Sequence, residues 1–124
     1  MQENEISYKI RGAIFNVYNN LGPGLLESAY EAALIYELEK LNLKIKSQVA
    51  LPMIYENKHV DIGYRLDLLV ENKVIIEIKS VETLLDVHHK QIITYLKLSG
   101  LKLGILVNFN SDNISNSIFR KVNG

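Results

Sequence analysis

The chain has 124 residues, 48% of them hydrophobic, with 14 Lys and Arg against 14 Asp and Glu, so its formal net charge is zero. That length and apolar content predict a single domain, residues 1–124, with one real core. They exclude a disordered chain and a globally basic nucleic-acid coat, so any nucleic acid needs a local basic patch.

There is no cysteine. A disulfide scaffold, a zinc ribbon and a thiol nucleophile are excluded, and a cytoplasmic location is expected. Met1 is followed by Gln-Glu-Asn-Glu, not by a basic region leading into an apolar run. No apolar stretch approaches the roughly 18 residues that a membrane span needs, so no membrane is expected as a partner.

Glu5 to Asn19 reads as a helix, with Ile6, Ile10, Ala13, Ile14, Val17 and Leu21 on one stripe. Gly22-Pro23-Gly24 ends it and resets the chain. Leu25 to Leu41 reads as a second helix, apolar around most of its circumference. It is expected to be more enclosed than the first, by a second copy in a homodimer or by a partner protein. Ile45 to Tyr55 reads as an edge strand, because Pro52 cannot donate to a central ladder. After a turn at Glu56-Asn57-Lys58, His59 to Glu71 alternates strictly. Val60, Ile62, Tyr64, Leu66, Leu68 and Val70 fall on one face. Asn72-Lys73 reads as a tight turn and Val74 to Val81 as a buried strand. Leu85 to Gly100 reads as a third helix, with Asp86 as its cap. Leu103 to Phe109 reads as a strand and Ile114 to Val122 as a short final helix. The predicted order is α-α-β-β-β-α-β-α: a small α/β sandwich with a mixed sheet. A right-handed crossover is expected if the strands at Val74 and Leu103 are parallel.

Glu77 and Lys79 interrupt the most apolar strand and share a face, being two apart. A hairpin centred between Asn72 and Lys73 brings Asp67 opposite position 78, within one residue of Glu77. Two neighbouring carboxylates want a counter-charge, and Lys79 or a cation would supply it. Asp67, Glu77 and the backbone carbonyl of Ile78 are hard oxygen donors, suited to Mg²⁺ or Mn²⁺ and not to zinc. Lys79 beside such an ion could orient a water and steady a pentavalent phosphate. The reaction class is phosphodiester hydrolysis. His88, Gln91 and Tyr95 share one helix face by their spacing and could hold a phosphate or a water. Glu27 and Tyr30 lie near the start of the second helix. Glu27 is a further candidate metal ligand, directly or through water. Tyr30 is a candidate phosphate contact or a packing buttress. Arg65 shares a face with Asp67 and could contact phosphate or pair with Asp61.

Asp67, Glu77-Ile78-Lys79 and Gln91-Ile92-Ile93-Thr94-Tyr95 together resemble the PD-(D/E)xK nuclease superfamily. The Gln-x-x-x-Tyr helix resembles its RecB-like and Cas4-like branch, and Glu27 is similar to the early-helix glutamate of that pattern. Gly24-Leu25-Leu26-Glu27-Ser28-Ala29-Tyr30 resembles the signature of the GxxExxY proteins. The similarity runs on through Gly63–Val70, Val81-Glu82, Thr94–Lys97 and Val107–Asn110. The resemblance implies a restriction-endonuclease-like core of three layers, a mixed sheet flanked by helices. It also implies one Mg²⁺ and DNA or RNA as substrate. Leu66 stands where the pattern has proline, a residue that many members lack. The chain has almost no insertion beyond the minimal core, so the grip on nucleic acid is expected from a dimer or a partner protein.

Blander roles exist for each residue. Asp67, Glu77 and Lys79 could form an internal salt-bridge cluster, which contributes little net stability. Gln91 and Tyr95 could be ordinary helix-face residues, and Glu27 could brace the Gly22–Gly24 turn. His88 could lie at the surface, with His89 pointing elsewhere. Asn108 and Asn110 are expected to make turn hydrogen bonds. Lys44, Lys46 and Lys58 with Arg120 and Lys121 could form a basic rim or an evenly charged surface. The alternative function is a non-catalytic nucleic-acid- or protein-binding module on a nuclease-like fold. A small-molecule phosphohydrolase is disfavoured, because no Walker-type glycine loop is present.

Overall fold

The computed structural model describes residues 1–61 and 63–124. Helix α1 spans Glu3–Leu21 and buries Ile6, Ile10, Ala13, Ile14 and Val17 of the predicted stripe, whose last member, Leu21, is exposed at the helix end. Helix α2, Glu27–Lys40, buries only Tyr30, Leu34 and Leu38. The expectation that α2 is the more enclosed helix is therefore reversed. Leu26 at its cap and Tyr36 face outward at 74% and 63% exposure, while Ala33 and Ile35 pack partly buried against the core.

Strand β1 (Ile45–Ala50) stops before Pro52, and the chain does not continue as the same strand. Instead β2 (Met53–Tyr55) and β3 (Lys58–Val60) form a separate two-stranded hairpin. Glu56 and Asn57 both have positive φ, 49° and 65°, as a tight two-residue hairpin turn requires. The long alternating strand expected from His59 to Glu71 is thus divided. Only β4 (Arg65–Val70) joins the main sheet, and the facing expected of Ile62 lies outside the described residues.

Strand β5 (Val74–Lys79) is followed by α3 (Asp86–Ser99) and β6 (Leu103–Asn108). β5 and β6 are parallel, as the β-α-β reading required. The final helix expected over Ile114–Val122 is a 3₁₀ turn at Ile114–Asn116 followed by β7, Ile118–Val122. The spacing of Ile114, Ile118 and Val122 also suits a helix. The open edge of β6 decides otherwise, because β7 satisfies its backbone in an antiparallel ladder from Leu103–Val122 to Val107–Ile118.

The main sheet has the order β1-β4-β5-β6-β7, antiparallel except at β5–β6. It is the middle of three layers. One face packs Leu68, Val70, Ile76 and Ile105 against α1 and α2. The other packs Leu66 and Ile75 against Tyr95 and Leu96 of α3. Gly104 lets α3 approach β6 closely, since a Cβ there would lie 2.9 Å from Ile92 Cδ1. The predicted α/β class with a mixed, helix-flanked sheet is borne out.

Candidate active site

The site begins with a turn one residue longer than expected. Val70 pairs with Val74, leaving Glu71, Asn72 and Lys73 as the loop, with Glu71 and Asn72 both at φ 54°. The centre therefore falls on Asn72, and the register places Asp67 opposite Glu77 and not opposite position 78. The last main-chain pair is Leu68 with Ile76. Beyond it, side chains take over the ladder. The Asp67 N–H donates to Glu77 Oε2 at 2.9 Å, and the Ile78 N–H donates to Asp67 Oδ2 at 2.8 Å.

The reason is a roll in two strands at once. In β4, Leu66 packs on the α3 side, whereas Leu68 and Val70 pack on the α1–α2 side. In β1, Ile45 packs with α1 and α2, and Val49 packs with α3. Gln48, at φ 51°, stands between them, opposite Asp67 in the β1–β4 register. A strand that rolls cannot keep both ladders, so β4 and β5 part at Asp67. In an extended strand a residue's N–H and C=O point to the same side. The Ile78 N–H faces β4, so its carbonyl also faces the opening.

A cavity of about 330 Å³ occupies this opening, lined by Asp67, Ile78, Lys79, Gln48, Glu27 and Glu31. Glu77 does not line it; it is only 4% exposed and is tied to the lining through the Asp67 N–H. Burial, and then the charge of Asp67, push the Glu77 carboxyl up to about 8. Burial also raises Asp67, against the lowering effect of the Ile78 N–H and of Lys79. Burial thus favours the protonated form of Glu77 at neutral pH. Lys79 attracts both carboxylates from a distance and closes on neither. Among the described residues the one ion pair is Lys40 with Glu37. The internal salt-bridge cluster is therefore absent, and the Lys79 ammonium does not plug the opening.

The glycine-rich turn serves this cavity. Gly24 has φ +101°, a conformation that L side chains rarely adopt. The Tyr30 hydroxyl donates to the Gly22 carbonyl at 2.5 Å and accepts from the Leu25 N–H at 3.2 Å. Its ring stacks on Phe109 at 4.4 Å. Tyr30 is fully buried, so it buttresses the turn and does not reach a substrate. Glu27 Oε1 accepts from the Ser80 N–H at 3.1 Å, and the Ser80 hydroxyl donates to the Leu25 carbonyl. Glu27 thereby both lines the cavity and clamps the turn to the end of β5. Among the described residues no three carboxylates or imidazoles are gathered into a metal cage. Glu27 is accordingly not drawn in with Asp67 and Glu77 as a direct third ligand.

On α3, Tyr95 is buried and its ring tilts against Tyr64 at 5.6 Å. Its phenol is raised first by burial, then by the charges of Glu77 and Asp67, so it lies in the field of the pair. Gln91, one turn earlier, is partly buried and does not line the cavity. His88 is turned to another use. Its Nδ1 accepts from the Leu85 N–H at 2.9 Å and caps α3, the role expected of Asp86. His89 meets Phe119 edge-on, away from the cavity, as expected. Arg65 is exposed and donates to its neighbour's carbonyl at 3.1 Å. Asp61, its expected partner, instead accepts from the Gly63 N–H. Lys46 and Arg120 lie on β1 and β7, opposite edges of the sheet, so the two basic groups do not form one rim.

Sequence reading missed Gln48, Glu31 and Ser80. Gln48 donates to Glu31 at 3.0 Å and also hydrogen-bonds Asp67. The spacing of Glu27 and Glu31, one helical turn, was an available signal. Gln48 and Ser80 had none, because each acts through a strand end whose partner is remote in sequence.

A model of the PD-(D/E)XK nuclease superfamily matches residues 4–121. No curated protein and no solved structure matches the chain. The match spans the three-layer core, the parted strands with Asp67 and Glu77, and the helix carrying Tyr95, and by it the chain belongs to the PD-(D/E)XK nuclease superfamily.

Proposed function

We propose that the chain is a single-domain, Mg²⁺- or Mn²⁺-dependent nuclease cleaving a phosphodiester of DNA or RNA at the Asp67–Glu77 opening. Within the superfamily we assign it to the GxxExxY proteins and to the Gln-x-x-x-Tyr branch. The observation that carries the reading is the parting of β4 and β5. It brings Asp67 and Ile78 to one opening, with Glu77 hydrogen-bonded behind them and Lys79, among the described residues, free of any ion pair.

The donor set fits the metal: Asp67, Glu77 and Ile78 offer hard oxygens, and a bound cation would displace the proton that burial favours on Glu77. A cation held there would supply charge against the phosphoryl oxygens and acidify a water. Glu27 and Glu31 hold water at the outer wall. Lys79 orients the attacking water and stabilises developing charge. Tyr95, with Gln91 on the same helix face, orients phosphate from the α3 side. Arg65 is an outlying phosphate contact, and His88 Nε2 is a further one, since its Nδ1 is already committed.

Among the described residues no helix is long and apolar enough to cross a membrane. The cytoplasmic location is proposed from the absence of cysteine. A homodimer formed through the exposed face of α2 belongs to the same reading. Light scattering showing only a 14.1 kDa species would remove that part.

The test is calorimetry with Mg²⁺ and Mn²⁺ on wild type and Asp67→Ala, with cleavage of single-stranded, duplex and branched DNA and RNA on the same samples. Metal binding and cleavage that both vanish in a folded Asp67→Ala support the nuclease. No metal binding and no Asp67-dependent cleavage, with nucleic acid present, would transfer the assignment to the non-catalytic binding module.

A further inference from the structure

A second cavity, of about 580 Å³, opens at the same end of the sheet. It lies across the Ser80–Val81 segment from the catalytic one. Glu82 and Thr83 line it just after Lys79, and Pro23 lines it just before Glu27. Its inner wall is Asn108, which pairs with Lys79 between the parallel strands.

The wall is built, and its hydrogen bonds divide the side chains into two groups. Asn108 accepts from the Val81 and Asn110 N–H groups and donates to the Val81 carbonyl. The Tyr18 hydroxyl holds the Ser111 carbonyl, and the Ser117 hydroxyl donates to that of Ser111 at 2.7 Å. Asn113 Oδ1 accepts from the Ser115 N–H and hydroxyl. These groups are spent. Among the described residues, the carboxamides of Asn110 and Asn116 and the Asn113 Nδ2 make no hydrogen bond, yet all three residues line the cavity. Glu82 and Asp112 line it too and form no ion pair. Phe119 supplies an apolar wall.

No Lys or Arg lines this cavity and two carboxylates do, so its chemistry rejects phosphate. It suits a neutral ring carrying N–H donors. Carboxylates accept from the exocyclic amine of cytosine, and carboxamides pair with the donor–acceptor edge of adenine. We infer that this cavity is a subsite for an amino-bearing nucleobase, cytosine, adenine or guanine, in the strand whose phosphate lies at the catalytic cavity. The inference rests on the nuclease reading for the strand, but base recognition is measurable without cleavage.

The experiment is an NMR titration of the ¹⁵N-labelled chain with deoxycytidine and with thymidine, nucleosides that carry no phosphate. The side-chain amide signals of Asn110, Asn113 and Asn116 shift with deoxycytidine, which binds about fivefold or more tighter than thymidine. Glu82→Gln with Asp112→Asn, both at exposed positions, removes that preference. Absence of shifts at millimolar deoxycytidine, or equal shifts with both nucleosides, overturns the inference. Shifts with the expected preference, in a protein that cleaves nothing, uphold the base site and sink the nuclease reading alone.

Discussion

Replacing Glu77 by Gln is predicted to flatten the pH dependence of stability of the metal-free chain. In the folded state burial and Asp67 raise Glu77 from 4.5 to about 8. The folded protein therefore holds this proton more tightly than the unfolded chain does. The resulting stabilisation is complete below about pH 4.5 and is lost as pH rises through 8. Each unit of displacement corresponds to about 1.4 kcal/mol, so the loss across this window amounts to a few kcal/mol. That is a large fraction of the stability of a small domain. Asp67, also raised, contributes with the same sign. In Glu77→Gln the carboxamide oxygen still accepts from the Asp67 N–H, but nothing ionises there. Removing the Glu77 charge also relieves Asp67. Urea denaturation in the presence of a chelator, at steps from pH 4.5 to 9, measures this. Wild type loses stability toward pH 9 and the variant is nearly flat, so the variant is the more stable protein at the alkaline end. Parallel curves for the two proteins across the window would refute the reasoning.

Tyr30→Phe keeps the stack on Phe109 but leaves the Gly22 carbonyl and the Leu25 N–H without their partner. It should lower stability by about 1–3 kcal/mol in chemical denaturation, and an unchanged midpoint would argue against the buttress. Asn108→Leu strands the Val81 N–H and C=O at a buried position. A loss of roughly 2–4 kcal/mol is expected, read as a drop in thermal midpoint; a loss below about 1 kcal/mol would mean that water replaces the carboxamide.

Much of the site was legible because its residues break their own local pattern. Glu77 and Lys79 are charged within an apolar strand, and that interruption needs no tertiary knowledge to be noticed. Tyr95 was found by its spacing from Gln91, yet only packing separates them: Tyr95 is buried in the field of the carboxylates, and Gln91 stays off the cavity wall. The capping of α3 by His88 Nδ1 was not legible from its spacing, and it leaves only Nε2 of that ring for a phosphate.

The sequence by itself determined the elements whose periodicity is strong and local. These are the apolar stripe of α1, the break at Gly22-Pro23-Gly24, the run of β5 and the β-α-β unit ending in β6. The tertiary structure decided what depends on partners far along the chain. Ile114–Val122 became a strand because β6 had an open edge to pair. Within the chain α2 proved the less enclosed helix, burying Tyr30, Leu34 and Leu38 where α1 buries its stripe from Ile6 to Val17. The facing of Asp67 and Glu77 hung on one turn residue, since side chains alternate with period two and a slip of one exchanges the faces. The opening between them came from a roll at Gln48 and Asp67, two residues brought side by side only by the ladder of β1 and β4.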